Sequence, residues 1–344
     1  MRGPVCLRGY EAFHDAATIA AMPLSTSVVL CTFNGARFLE AQWDSLLAQS
    51  RPPDEIVVRD DGSDDGTWAM LDGLSARAAA RGVRVRLIRN EHNLGYVANF
   101  EAVLRDASGD LLFLCDQDDV WHAEKLAILV AAFEQRADLL LLCTDARRIG
   151  EEGAALPRSL FEVLKVSRAE LRRIHDGRGF EVLLRRSLAT GATIALRRTL
   201  LADALPFPAG WVHDEWLAII AAALGGFDCL EQPLIGYRQH PRNQLGMPER
   251  TLATRMVGLL APPAEAMGPL MERYQALHER LCALDRRMPA VARVEGKLGH
   301  LRVRAAALKR GRWQRITMVL GEAIHYRRYA AGWRSALRDL LRRD

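Results

Sequence analysis

The chain has 344 residues, 49% of them apolar and 26% charged, with 26 Gly and 14 Pro. These proportions exclude collagen-like, disordered and disulfide-scaffold chains and leave room for one large domain or two ordinary ones. The net charge of +5 is uneven: residues 250–344 carry 20 Lys/Arg and 8 Asp/Glu (+12), leaving 27 against 34 (−7) for the rest. An acidic body beside a basic tail predicts a site for cations or polar ligands and a surface that prefers anions. No uninterrupted apolar run reaches the roughly 18 residues of a membrane span, and the N-terminus lacks the basic, apolar and small-residue order of a signal peptide. A soluble, cytoplasmic protein is expected. Six cysteines lie far apart with no C-x-x-C pair; Cys31, Cys115 and Cys143 sit in apolar runs and read as small buried hydrophobes.

Residues 1–24 show no period and read as a lead-in. From Ser25 strand-like and helix-like stretches alternate. Val28–Thr32 is a short apolar run, followed by a helical pattern through Leu39, Trp43, Leu46 and Leu47 that Pro52 and Pro53 stop. Glu55–Arg59 is the next strand, then the turn-rich Asp60-Asp61-Gly62-Ser63-Asp64-Asp65-Gly66, a helix over 67–81 and a strand over Val83–Ile88. A helix over Tyr96–Asp106 leads to a strand at Leu111–Cys115, a helix over 123–135 and an apolar run at Leu139–Thr144. Strands alternating with helices predict βαβ units, and nearly all-apolar strands predict a mainly parallel sheet covered on both faces. The expected architecture is an α/β domain over residues 25–246 and a basic helical region over 247–344.

Polar clusters follow the predicted strand ends, where open α/β sheets place ligands. The first is Cys31-Thr32-Phe33-Asn34-Gly35, the second Asp60-Asp61-Gly62-Ser63; Asp-Gly pairs alone are ordinary turn formers. The third, Asp116-Gln117-Asp118-Asp119, puts three acids within four residues at the end of a buried strand. Such acids repel unless solvated or bridged, and a hard divalent cation with water and phosphate oxygens resolves the repulsion. Further on, Asp214 and Glu215 open an apolar helix, where the macrodipole favours carboxylates. Tyr237-Arg238-Gln239-His240 offers side chains suited to metal and phosphate.

In this order, Val28–Gly35, Val57–Thr67, Asn90–Gly95 and Asp116–Trp121 resemble the motifs of family 2 glycosyltransferases. Thr190–Thr193, His213–Trp216 and Tyr237–His240 resemble its bacterial rhamnosyltransferase-like branch, which contributes to O-antigen and capsule assembly. The resemblance implies a GT-A fold, a nucleotide-sugar donor and a divalent metal, Mg²⁺ or Mn²⁺. It assigns Thr32, Phe33 and Asn34 to the nucleoside pocket, with Phe33 in place of the more usual tyrosine, and Asp61 to the pyrimidine base. Asn93 and Gly95 fall near the ribose and donor sugar, and Asp116 near their hydroxyls. Asp118 falls to the metal, with His240 completing its shell and Arg238 offsetting phosphate charge. Asp214 matches the catalytic base, with His213 or Glu215 as possible sharers of that duty. Trp121, Trp211 and Trp216 are assigned to the acceptor. The implied reaction is inverting transfer, with rhamnose from dTDP-rhamnose as the expected donor and a surface-polysaccharide or lipid-linked glycan as acceptor. The alternatives are an inactive sugar-nucleotide-binding scaffold and a nucleotidyltransferase, though no Gly-rich phosphate loop with Arg or Lys lies near the start.

In the basic region, Trp313, Ile316, Leu320 and Ile324 fall at helical spacing, as do Tyr329, Trp333, Leu337 and Leu341, among many arginines. This pattern fits a helix lying on an anionic membrane at the inner face of the cell, or one packed on the body or in a homodimer. No base-reading motif supports nucleic acid as a partner.

Overall fold

In a computed structural model, residues 23–241, 243, 263–285, 288–330 and 332–341 are described. Most of the lead-in, the junction between the two expected parts, and Arg342 and Arg343 lie outside them. Eight strands form one sheet: β1 (Thr26–Thr32), β2 (Glu55–Asp60), β3 (Arg84–Arg89), β4 (Leu111–Cys115), β5 (Val120–Trp121), β6 (Leu141–Ile149), β7 (Ile194–Arg197) and β8 (Phe227–Arg238). Their spatial order is β3-β2-β1-β4-β7-β6-β8-β5. β1 lies parallel to β2 and β4, β2 to β3 and β6 to β8, whereas β7 runs antiparallel to β4 and β6, and β5 to β8. The sheet is therefore mainly parallel, as the apolar strands predict, with a reversed strand at its centre.

Successive strand residues supply opposite cores. Val28 and Leu30 join Ile56, Val58 and Phe113 on the face covered by α1 (Ala36–Leu47), α2 (Thr67–Ala79) and α4 (Lys125–Gln135). Val29 joins Val57, Leu112 and Leu114 on the face covered by α3 (Tyr96–Asp106) and the later α9. With both faces dry, each position favours an apolar side chain, which is why the strands show no polar alternation. β3, at the sheet edge, carries Arg84, Arg86 and Arg89, and the long β6 and β8 turn polar beyond their first few residues.

The stretch after β6 is largely helical, with α5 (Leu160–Val163), α6 (Arg168–Arg173), a π-helical turn and α7 (Gly179–Leu183), each of the first two opened by a Ser/Glu capping box. A short α8 (Leu201–Ala204) precedes α9 (His213–Ala223), whose apolar length is buried. The C-terminal helices are α10 (Pro263–Asp285), α11 (Pro289–Leu308), α12 (Arg312–Gly321), α13 (Ala323–Tyr329) and α14 (Trp333–Leu341). Leu277 and Leu281 of α10 and Val294 and Leu298 of α11 share one core with α3 and α9. The basic region thus packs on the α/β body. No helix among the described residues is long and apolar enough to cross a membrane.

Candidate active site

A cleft of about 1170 Å³ opens where β1, β2 and β4 end, with the start of α9, the end of β8 and α10 closing its other sides. Of the residues singled out in the sequence, Thr32, Phe33, Asn34, Asp61, Asn93, Gly95, Asp116, Asp118, His213, Asp214, Glu215 and His240 line it. Motifs spread over two hundred residues converge because parallel strands deliver their C-terminal ends to one edge.

The two first loops are tied together. The Thr32 hydroxyl donates to Asp60 Oδ2 at 2.8 Å, and Ser63 donates to both Asp60 oxygens, so the first aspartate of the pair is a buried hub. Asn34 takes a left-handed φ of 50°, tolerable for Asn, and its N–H donates to Ser63 Oγ at 2.9 Å. Asp61 accepts from Asn90 Nδ2 and from the N–H groups of Leu94 and Gly95 at 2.7–2.9 Å. A carboxylate offers about four acceptor sites, so these bonds hold the Asn93–Gly95 loop and leave about one for a ligand. Phe33 presents its ring to the cleft, and Gln117 grips its backbone from the loop after β4, accepting from Phe33 N–H at 2.8 Å and donating to its carbonyl at 2.9 Å. A Cβ on Gly35 would lie 2.1 Å from Gln117 Oε1, so only glycine admits this clamp.

The three acids after β4 separate. Asp116 is pushed up to about 7 by burial and by Asp118 and Asp214. Asp119 is buried and held well above the usual carboxylate range, first by desolvation; its Oδ1 accepts from Arg238 N–H at 2.9 Å. Asp118 faces His240, with Oδ2 2.7 Å from Nε2. Beneath them the fully buried Lys125 donates to the Ala192 carbonyl at 2.8 Å, with its ammonium 3.6 Å from the Trp121 ring centroid. Burial brings this lysine down to about 7 against the pull of Cys115, Asp119 and Asp116.

On the opposite wall, Asp214 Oδ2 accepts from Gly191 N–H at 2.9 Å and Oδ1 from Glu215 N–H at 2.7 Å. Burial raises it to about 6, against the lowering by those two amides. His213 stacks on Phe100 at 4.1 Å, and neither ring nitrogen has a hydrogen-bond partner among the described residues. Burial lowers this imidazole to about 3, so it is a weak base and an aromatic wall rather than a proton acceptor. Glu215 forms an ion pair with Arg273 of α10, whose guanidinium lies 3.8 Å over Trp211 and whose carbonyl accepts from Trp211 Nε1 at 2.8 Å. Arg273, Gln117, Tyr96 and Asn243 also line the cleft. No local motif announces Arg273, because it arrives from a helix 58 residues beyond Glu215.

Four assignments change. Trp121, Trp211 and Trp216 are core residues: all three are buried, and Trp216 Nε1 donates to Ala204 O at 2.7 Å. None lines the cleft, so none is available to an acceptor. Arg238 is buried as well, donating to the carbonyls of Asp118 and Glu151 at 2.7 and 2.6 Å, with its guanidinium 5.0 Å from the Phe38 ring. It fixes the Asp118 loop instead of meeting phosphate.

Among the described residues no group of three or more His, Cys, Asp or Glu side chains is set to cage a metal. Asp118 and His240 supply one carboxylate and one imidazole to the cleft wall. Such a pair suits a cation of the Mg²⁺ or Mn²⁺ type, which completes its shell from water and substrate phosphate.

An uncharacterized protein of Mycobacterium tuberculosis is 28% identical over 217 residues, 62% of this chain and 58% of that protein. The chain thus matches under two thirds of the length of such relatives. The fold is shared with Staphylococcus aureus TarS 1–349 in complex with UDP, at 18% identity and TM-score 0.51 over 88% of this chain and 91% of that one. It is shared too with the mannosyltransferase PcManGT of Pyrobaculum calidifontis in complex with GDP-Man and Mn²⁺, at 18% identity and TM-score 0.52 over 92% and 86%. Residues 27–203, just over half of the chain, match the model of glycosyl transferase family 2, and the chain belongs to that family.

Proposed function

We propose that this chain is an inverting glycosyltransferase that moves a sugar from a nucleoside-diphosphate donor to a glycan hydroxyl. The observation that carries the proposal is the cleft itself: it gathers the β1, β2 and β4 strand-end residues, Asp116 among them, on one wall and the buried Asp214, raised to about 6, on another. Thr32, Phe33, Asn34 and Asp61 would hold the nucleoside, Phe33 by its exposed ring face, with Asn93, Gly95 and Asp116 near the ribose and sugar. Asp214 would take the acceptor hydroxyl proton as the new bond to the anomeric carbon forms on one face. The bond to the diphosphate oxygen breaks on the other, and the diphosphate leaves with its electron pair. A base near neutral pKa is suited to that transfer and contributes about 10²–10⁴-fold. Glu215 is tied to Arg273, which leaves Asp214 the freer of the two acids.

Asp118 and His240 would hold the divalent cation, which when bound offsets the charge growing on the departing diphosphate. The UDP and GDP-Man/Mn²⁺ complexes of the fold neighbours support a nucleotide-sugar donor and a divalent cation here. For the sugar we propose rhamnose from dTDP-rhamnose, on the likeness of Thr190–Thr193, His213–Trp216 and Tyr237–His240 to the rhamnosyltransferase-like branch. The acceptor proposed is a bacterial surface-polysaccharide or lipid-linked glycan. Nucleotide release from a panel of dTDP-, UDP- and GDP-sugars, with and without Mn²⁺ and acceptor, tests the reading. Metal-dependent release of the nucleoside diphosphate supports it. Inorganic pyrophosphate release would show nucleotidyl transfer, and no release or binding of any donor would favour a scaffold.

A further inference from the structure

The three C-terminal helices pack around Val319, Tyr326 and Ala330, and α14 lays Ala336 and Leu340 against them. Its one acid, Asp339, is fully buried: Arg304 Nε and Nη2 donate to its two oxygens at 2.7 and 3.1 Å, and the Tyr326 hydroxyl donates at 2.6 Å. Leu337 and Leu341 lie about 200° round the helix from Asp339, at 3.6 residues per turn. They and Trp333 are therefore exposed, Trp333 at 69%. On α12, Arg315 and Val319 face inward, while Trp313, at 80%, and Leu320 face out, as does Ile324 on α13. Ile316 is half-buried, and Tyr329, expected on the second stripe, turns into the core.

The exposed positions of the same helices are also rich in arginine. Arg312, Arg327, Arg328, Arg334 and Arg338 are exposed. The two acids of the three helices are drawn away, Asp339 to Arg304 and Glu322 to His300 at 2.7 Å. The helix α14 buries its acid and packs Ala336 and Leu340 inward, while Trp333, Leu337 and Leu341 face solvent with no cover among the described residues.

We infer that this face docks on an anionic lipid bilayer. Charge complementarity selects that occupant: a second copy docked by the same face would bring like-charged arginines together, and a nucleic acid would leave the apolar stripe uncovered. Lipid headgroups meet the arginines while the acyl boundary receives Trp313, Trp333 and the leucines, the usual station of Trp at a bilayer. The platform is not loosely attached. The Glu215–Arg273 pair and the Trp211–Arg273 bond tie α10 to the start of α9, so docking would also fix the cleft's orientation to the bilayer.

Full-length chain is to be floated with phosphatidylcholine vesicles and with vesicles containing about one-third phosphatidylglycerol, at low and high salt. About tenfold or greater preference for the anionic vesicles, weakened by salt, is expected. Trp313→Ser/Trp333→Ser, at exposed positions, should reduce flotation about tenfold with an unchanged melting temperature and unchanged nucleotide binding. Arg327→Glu/Arg328→Glu, a second surface pair, should do the same through charge. Equal partition to both vesicle types, no flotation at low salt, or self-association that the tryptophan variant abolishes would each overturn the inference. Nucleotide binding is read separately, so failure on vesicles leaves the transferase proposal standing.

Discussion

Replacing Asp214 by Asn tests burial and chemistry together. In the folded chain this carboxyl sits at about 6 against an ordinary 3.8, about two units, or about 3 kcal/mol at 1.36 kcal/mol per unit. Because the folded value is raised, the folded state holds the proton more tightly than the unfolded state between those values. Stability at this site is therefore greatest below about 3.8 and is lost as pH rises to about 6, where the deficit levels off near 3 kcal/mol. Asn carries no charge and escapes that slope. It has one acceptor oxygen, however, where Asp214 uses two, for Gly191 N–H and Glu215 N–H. One backbone donor loses its partner, at a cost of about 1–3 kcal/mol.

The two effects nearly cancel above about pH 7, where Asp214→Asn should match the wild type in urea denaturation, whereas near pH 4 it should be less stable by about 1–3 kcal/mol. Activity should behave differently. kcat should fall by about 10²-fold or more above about pH 6, the gap narrowing below it as wild-type Asp214 takes up its proton, and wild-type kcat/KM should rise with pH to a plateau above about 6. Parallel stability curves at the two pH values would refute the buried-carboxylate reasoning. Turnover within about threefold of wild type would refute the base assignment.

Other perturbations separate the remaining groups. Asp118→Ala should abolish Mn²⁺-dependent turnover and remove the Mn²⁺ enhancement of nucleotide affinity in calorimetry, while the His240 side remains. Glu215→Gln should keep kcat within about tenfold of wild type, in contrast to Asp214→Asn; the reverse pattern would move the base by one residue. Arg273→Met should lower stability by about 1–2 kcal/mol in denaturant titration, since it removes both the ion pair to Glu215 and the cation stacked on Trp211. In Gly191→Ala the new Cβ would meet His213 Nε2 at 2.9 Å. The His213 ring is stacked on Phe100, so the strain should appear as about 1–3 kcal/mol of destabilisation together with reduced kcat, read by melting and steady-state rates.

What the sequence disclosed and what it hid follow from one distinction. Local pattern reports which residues form an element and how far it extends: Tyr96–Asp106 and Leu111–Cys115 match their expected bounds, and β1 and β2 differ from theirs by one or two residues. Local pattern does not report pairing direction, so the reversed β7 inside a parallel sheet was not legible, nor was the two-residue β5 or the full length of β8. The same limit governs the site. The strand-end residues line one cleft because a parallel sheet alone brings such ends together. Arg238 and Trp211 meet partners far along the chain, the Asp118 and Glu151 carbonyls and the Arg273 carbonyl, and Trp216 meets Ala204 across the preceding loop, contacts that local pattern does not report. The acidic cluster shows how far such reasoning carries. Three acids in four residues do demand relief from repulsion, but the protein supplies much of it from within. Asp119 and Asp116 are shifted toward their neutral forms, Lys125 lies beneath them with its own value brought down to about 7, and His240 meets Asp118. The cluster by itself is therefore a weaker argument for a metal than its composition suggests. The stronger one is narrower: Asp118 is the one acid of the three that pairs with an imidazole on the cleft wall, where a diphosphate would bring its own oxygens to a shared cation.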